Sequence, residues 1–153
     1  MEKILIVDDE AFIRENLERI LSEDGYQPSS TGSADEAIRI VSEDEIGLVL
    51  LDLNLGGSSG LDVLRAMREI DPELLVIIIT GYGTVESAVE ALKFGAYDYI
   101  KKPFKADAIH LIVKLALETQ SLRRKVRRLS REAEGINMVG NSSQLLQIFR
   151  QIR

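Results

Sequence analysis

Three observations predict an α/β protein with a five-stranded parallel sheet wrapped by helices on both faces. Near-continuous apolar runs rich in β-branched residues, "KILIV" (3–7), "GLVLL" (47–51) and "LLVIIIT" (74–80), read as strands buried on both sides. Amphipathic stretches with helical spacing separate them. The alternation makes five β-α units, which implies a doubly wound parallel sheet.

The remaining elements follow in order. "YQPSST" (26–31) is a weaker strand whose Pro28 suits an edge position. "AYDYIKK" (96–102) alternates and reads as the fifth strand. "EAFIRENLERILSEDG" sets Phe12, Ile13, Leu17, Ile20 and Leu21 on one helical face and stops at Gly25. "SADEAIRIVSED" opens with a Ser33–Glu36 capping box. "SGLDVLRAMREIDP" ends before Pro72, and "TVESAVEALKFG" takes Thr84 as its cap and Gly95 as its stop. A long helix follows Lys105. From 112 it carries a heptad, with Ile112, Thr119, Val126 and Ala133 at one position and Leu115, Leu122, Leu129 and Ile136 at the other. An ordinary last helix would need apolar residues only near 109–116. Beyond about 120 the leucines require another partner, and a second copy of the chain is the expectation, giving an extended C-terminal coiled-coil helix.

Composition narrows the function. The chain has no cysteine, which excludes disulfides and thiolate metal sites. No apolar run approaches a membrane span and no signal-peptide pattern opens the sequence, so a cytoplasmic protein without membrane contact is expected. Residues 1–119 hold 23 acidic and 11 basic side chains, whereas 120–153 hold 2 and 8. The acidic body is a poor nucleic-acid surface. In "RRKVRRLSR" (123–131), Val126 and Leu129 continue the seam, so the six charges read as the solvated outside of a coil, attracted to the acidic body, and no direct nucleic-acid binding is expected.

In open parallel sheets, ligands bind beyond the carboxyl ends of the strands. Asp8 and Asp9 end the first strand, Asp52 the third, Thr80 the fourth and Lys102 the fifth. Two unit charges 4 Å apart repel by about 4 kcal/mol at an effective dielectric of 20, so clustered carboxylates call for a cation. Oxygen-only ligands suggest Mg²⁺. A carboxylate beside that metal is suited to attack phosphorus, with a lysine and a hydroxyl to stabilise the transferring group. Each residue alone has an ordinary explanation as a cap, a strand residue or a turn lysine. Their conjunction at successive strand ends carries the reading.

These residues resemble the receiver domain of two-component response regulators: "VDDE" (7–10), "LLDLNL" (50–55), "IIITGYG" (77–83) and "YIKKPF" (99–104) match that family's successive signatures over roughly residues 2–120. The resemblance implies a flavodoxin-like sheet of order 2-1-3-4-5. It makes Asp52 the phosphoacceptor and a sensor histidine kinase the donor. Asp9 would ligate Mg²⁺ directly, Asp8 through water and Asn54 through its carbonyl. Thr80 and Lys102 would contact the phosphoryl oxygens, and the Lys102–Pro103 bond would be cis. Thr80 would move towards the phosphate and Tyr99 would fill the space it leaves, with Tyr97 facing the opposite way. Gly81 would leave the site uncrowded, and Tyr82 would tune phosphate lifetime. One departure stands out. The family usually shows Met-Pro after the acceptor segment, and this chain has Leu55-Gly56 followed by Gly57, which predicts a more mobile loop.

"TGYGTVESAVEALKFGAYDYIKKPF" further resembles receivers of sigma-54-dependent activators of the nitrogen-regulation and dicarboxylate-transport type. Those continue through a coiled-coil linker into an AAA+ ATPase and a DNA-binding domain. "INMVGNSSQLLQIFRQIR" looks like the start of that ATPase, and the phosphate-loop motif is absent. The expected division is a receiver over 1–120, a linker over 121–136 and a truncated ATPase stub over 137–153. The expected role is a phosphoacceptor module, not an enzyme, that switches a homodimer built on the last receiver helix and the linker. Phosphorylation either rearranges a restraining dimer or assembles an active one; the sequence alone does not choose, and the long seam favours the first. An aspartyl phosphatase would need an acid two positions past the nucleophile, where this chain has Asn54. A dinucleotide enzyme is disfavoured by "DDE" in the first β-α turn.

Overall fold

The computed structural model describes residues 2–81 and 85–136. In chain order the elements are β1 (Lys3–Val7), α1 (Ala11–Glu23), β2 (Gln27–Thr31), α2 (Ala34–Glu43), β3 (Leu48–Leu51), β4 (Asn54–Leu55), β5 (Ser58–Ser59), α3 (Gly60–Ile70), β6 (Leu75–Thr80), α4 (Val85–Lys93), β7 (Asp98–Lys101) and α5 (Ala106–Ile136). The main sheet has the order β2-β1-β3-β6-β7 and is parallel throughout. With the short β4 and β5 set aside, that is the predicted 2-1-3-4-5, and Pro28 does lie in an edge strand.

Strand periodicity divides the core in two. Leu5, Val7, Val49, Leu51, Val76 and Ile78 face α2, α3 and α4, where Ala37, Val41, Val63, Leu64, Met67 and Ala91 meet them. Ile4, Ile6, Leu48, Leu50, Leu75, Ile77 and Ile79 face the other way, against Leu17, Ile20 and Leu21 of α1 and Ile109, Val113, Ala116 and Leu117 of α5. Because both faces are covered, the strands read as unbroken apolar runs.

Several expectations need correction. Phe12 does not join the buried face of α1; it is 75% exposed, because the face that meets the sheet follows the Ile13, Leu17, Ile20 and Leu21 spacing. The capping box is half formed. Ser33 accepts from the Glu36 N–H, but the Ser33 N–H goes to Thr31 Oγ1 instead of returning to Glu36. Thr84 and Tyr82 lie outside the described residues, as does the 137–153 segment.

The loop after Asp52 is a structured ribbon. β4 and β5 pair antiparallel, Asn54 with Ser59 and Leu55 with Ser58, and Gly56 takes φ +65° at the turn. A glycine there suits the positive φ of a tight two-residue hairpin. The ribbon closes on Gly60, whose N–H donates to the Leu53 carbonyl at 2.9 Å. A Cβ on Gly60 would fall 2.3 Å from Leu53 Cα and 2.7 Å from the Asp52 carbonyl oxygen. Glycine is therefore required at 60 for the chain to pass.

α5 is one continuous helix of 31 residues, about 46 Å long at 1.5 Å per residue. Among the described residues no helix is long and apolar enough to cross a membrane. Its first turns are tied to the end of α1, where His110 donates through Nδ1 to Asp24 Oδ2 and Glu23 stands 3.6 Å from Nε2. The bond to Asp24 holds the His110 pKa above its ordinary value, with partial burial opposing.

Two predictions follow from these contacts. Gly60→Ala should lower stability by about 1–3 kcal/mol in urea denaturation, and an unchanged midpoint would refute the close-approach argument. His110 contributes stability while protonated, fully below about pH 6.5, and that contribution fades as pH rises through the raised folded value. The wild-type unfolding midpoint should therefore exceed that of His110→Gln at pH 6 and converge with it at higher pH. A gap that widens with pH would reverse the assignment.

Candidate functional site

The carboxyl edge of the sheet gathers the polar strand-end residues through one repeated device. The residue after each of three strands continues the ladder with its own N–H. Asp8 N–H donates to the Thr31 carbonyl (3.1 Å), Asp52 N–H to Val7 (2.9 Å) and Lys102 N–H to Thr80 (3.0 Å). Backbone hydrogen bonds thus fix where each side chain begins before any side-chain contact forms.

Lys102 closes the site. Its Nζ donates to Asp8 Oδ2 at 2.7 Å and Asp52 Oδ2 at 2.9 Å, with Glu10 Oε2 at 3.8 Å. Their side chains are nearly dry, at 3% exposure for Asp8, 4% for Asp52 and 14% for Lys102. The second oxygen of each carboxylate takes a backbone donor two residues on: Glu10 N–H reaches Asp8 Oδ1 at 2.9 Å, and Asn54 N–H reaches Asp52 Oδ1 at 3.0 Å. Burial pushes the Asp8 carboxyl above its ordinary pKa, against the hydrogen bonds from Lys102 and Glu10 N–H. Burial also opposes the charge on Lys102, but its bonds to Asp8 and Asp52 outweigh that and hold its pKa high. One ammonium leaves the cluster short of positive charge.

The donor set fits a hard divalent cation. Asp8, Asp9 and Asp52 each offer a carboxylate oxygen, all within 4.8 Å of one another. Asp9 is exposed, while Asp8 and Asp52 are buried, so the group has a solvent-facing side through which a hydrated ion can enter.

Thr80 is buried at the end of β6 beside this group, and the Lys102–Pro103 bond is cis as expected. A Cβ on Gly81 would touch Lys102 only at ordinary contact distance, 3.5 Å. Tyr99 sits opposite Ile78 and packs into the α2–α3–α4 core, its hydroxyl buried with no hydrogen-bond partner among the described residues. Tyr97 faces the other core, and its hydroxyl meets Thr119 at 3.2 Å. Of the expected residues, Asp8, Asp9, Asp52, Asn54 and Lys102 converge in space, Thr80 flanks them, and Tyr99 packs, partly buried, against the core.

Two contributors were not foreseen. Arg14 reaches from α1 to the Asp8 carbonyl at 2.6 Å, packing where a Cβ on Gly32 would come within 3.0 Å of its guanidinium. Glu10 adds a fourth carboxylate near Lys102. The only signal was position: Glu10 stands in the first β-α turn, and Arg14 in the first turn of the helix that follows it.

Similarity to known proteins agrees with this geometry. The family model described as the response regulator receiver domain matches residues 4–114. The nitrogen assimilation regulatory protein NtrX of Azorhizobium caulinodans is 42% identical over 147 residues, 95% of this chain and 32% of that protein. The crystal structure of NtrX from Brucella abortus in complex with ADP superposes with a TM-score of 0.80 at 40% identity, covering 99% of this chain and 34% of that one. The solution structure of the beryllofluoride-activated NtrC4 receiver domain dimer gives a TM-score of 0.75 at 36% identity, over 78% of this chain and 99% of that one. The chain spans about a third of the length of the curated relative it matches. With the matched residues carrying the whole acidic edge and the lysine that spans it, the chain belongs to the response regulator receiver domain family.

Proposed function

We propose that this receiver accepts a phosphoryl group on Asp52 from a sensor histidine kinase, in a Mg²⁺-dependent reaction, and thereby switches a dimer that controls a downstream AAA+ transcription-activation domain. The observation that carries the reading is Lys102 bridging Asp8 and Asp52 beside Asp9, at one sheet edge.

Asp52 is the nucleophile. Its Oδ1 is steadied by the Asn54 N–H and its Oδ2 by Lys102, so the carboxylate is held in place before the donor arrives. A carboxylate oxygen forms the new bond to phosphorus while the phosphorus–nitrogen bond of the kinase phosphohistidine breaks, its electron pair leaving with the imidazole. Lys102 can turn its ammonium from the carboxylates to a phosphoryl oxygen, and the Thr80 hydroxyl can donate to another. Mg²⁺ held by Asp8, Asp9, Asp52 and the Asn54 carbonyl would neutralise the charge that the reacting groups bring together. Asn54 is neither acid nor base, so it can neither protonate the leaving alkoxide of a phosphate ester nor take the proton of a water attacking the aspartyl phosphate, in keeping with a phosphoacceptor and not an enzyme.

Thr80 and Tyr99 form the switch in this reading. The Tyr99 hydroxyl is buried with no partner among the described residues, and a buried hydroxyl left unpaired costs about 1–3 kcal/mol, a bias on the scale that phosphorylation can shift. The output runs through α5. Leu111, Leu115, Leu122 and Leu129 are all about half exposed or more, an apolar stripe suited to a second copy. The NtrC4 receiver, a dimer when activated by beryllofluoride, supports a dimeric output. Ile112 and Thr119, assigned to the seam, are used partly by the domain itself, so the free seam is mainly Leu115, Leu122, Val126 and Leu129. A receiver over 1–120, a linker over 121–136 and an ATPase beginning within 137–153 complete the proposal, the last part resting on the sequence alone.

Asp52→Asn should abolish labelling by acetyl phosphate in Mg²⁺, and retained labelling would overturn the acceptor assignment. Saturating Mg²⁺ should raise the thermal midpoint of the unphosphorylated protein, by the equivalent of about 2.7 kcal/mol at a hundredfold excess over Kd. Asp9→Asn should lose that gain while folding normally. An equal gain in the variant would place the ion elsewhere.

A further inference from the structure

The helix α5 does not leave the domain freely at residue 120. At the opposite edge of the sheet from the acidic site, the turn between α3 and β6 holds it at three successive points. Gln120, 2% exposed, donates through Nε2 to the Glu73 carbonyl at 3.2 Å. Arg127 Nη1 stands 2.6 Å from Glu73 Oε1, and Arg124 Nε stands 3.7 Å from Oε2. One residue of the turn therefore engages the helix with both its backbone and its carboxylate, over two helical turns.

The turn is itself braced. Asp71 Oδ1 accepts the Glu73 N–H at 3.0 Å, the Asp71 carbonyl accepts the Leu74 N–H at 3.1 Å, and Arg68 of α3 donates to the Leu74 carbonyl at 2.6 Å. On the other side Gly47 makes room for the helix: a Cβ there would lie 3.2 Å from Gln120 Oε1 and 3.5 Å from Leu117 Cδ2.

Helix geometry gives the arrangement a direction. At 3.6 residues per turn, Arg124 and Arg127 fall within roughly 40° of Gln120 round the helix. Leu115, Leu122 and Leu129 fall roughly 180–220° away from it, and all three are exposed. The side held by Glu73 and the apolar stripe are opposite faces of one helix.

We propose that the 71–74 turn is a clasp that fixes the direction in which the linker helix leaves the receiver, with Glu73 as its positioning residue, so that the leucine stripe is presented outward to a second copy of the chain. The proposal deepens the dimer reading and rests on it only for the identity of the partner. The clasp itself is intramolecular.

Amide hydrogen exchange across α5 tests this, on the whole chain, with Glu73→Ala, Arg127→Ala and the double variant. Arg127 is half exposed, so its replacement leaves the core intact. Either single change should speed exchange over 121–131 by about two- to fivefold while leaving 106–117 unchanged. The double variant should exchange no faster than Glu73→Ala alone, since both remove one interaction. Unchanged rates in Glu73→Ala, or effects that simply add in the double variant, would overturn the clasp. Repeating the series at a concentration where light scattering finds a monomer separates the two readings. A clasp effect that persists there supports the proposal, and one that vanishes overturns it. Protection of wild-type α5 that does not depend on concentration would count against the dimer alone.

Discussion

Everything at the acidic edge depends on one ammonium group. Asp8 and Asp52 belong to adjacent strands, are almost fully buried, and would repel strongly in a dry setting. Lys102 lies between them from a strand two places further along the sheet. For its Nζ to reach both carboxylates, the ends of β1, β3, β6 and β7 must keep a fixed stagger. The parallel register supplies this: Val7, Leu51, Ile78 and Tyr99 stand level, and β6 and β7 run on to Thr80 and Lys101. A slip of one residue in any pairing would turn the functional side chain to the other face.

The same constraint explains why the site is strong in charge and modest in stability. Burial raises the Asp8 pKa despite a direct ion pair, so the folded protein carries electrostatic cost at this edge of the sheet. The two apolar cores, one on each face of the sheet, offset it. They hold the strand ends in place, with Thr80 buried at the end of β6 and Tyr99 packed, partly buried, against the α2–α3–α4 core.

Most of this was legible in the chain. Buried strands announce themselves by β-branched runs, and the residue that follows each run is placed by backbone pairing alone, so Asp8, Asp52, Thr80 and Lys102 could be assigned to one edge without coordinates. Features that depend on distant partners were not legible. Arg14 is an ordinary helix residue until β1 brings the Asp8 carbonyl beneath it. Phe12 has the right chemistry for the core but the wrong phase on its helix. Leu55-Gly56-Gly57 read as a loose loop because glycine signals freedom locally; the β4–β5 ribbon and the approach of Gly60 to Leu53 use that freedom to make a tight one. Glu73, in a turn of unremarkable composition, gains its role only when the helix of 106–136 passes over it.

The unbroken run of α5 past Gln120 makes it a lever. Sixteen residues separate Gln120 from Ile136, a reach of about 24 Å at the helical rise. A tilt of roughly 10° at Gln120 would carry the far end about 4 Å, most of the 5.4 Å pitch of one helical turn. Displacements too small to disturb packing within the receiver are thereby magnified to the scale on which one helix changes its register against another.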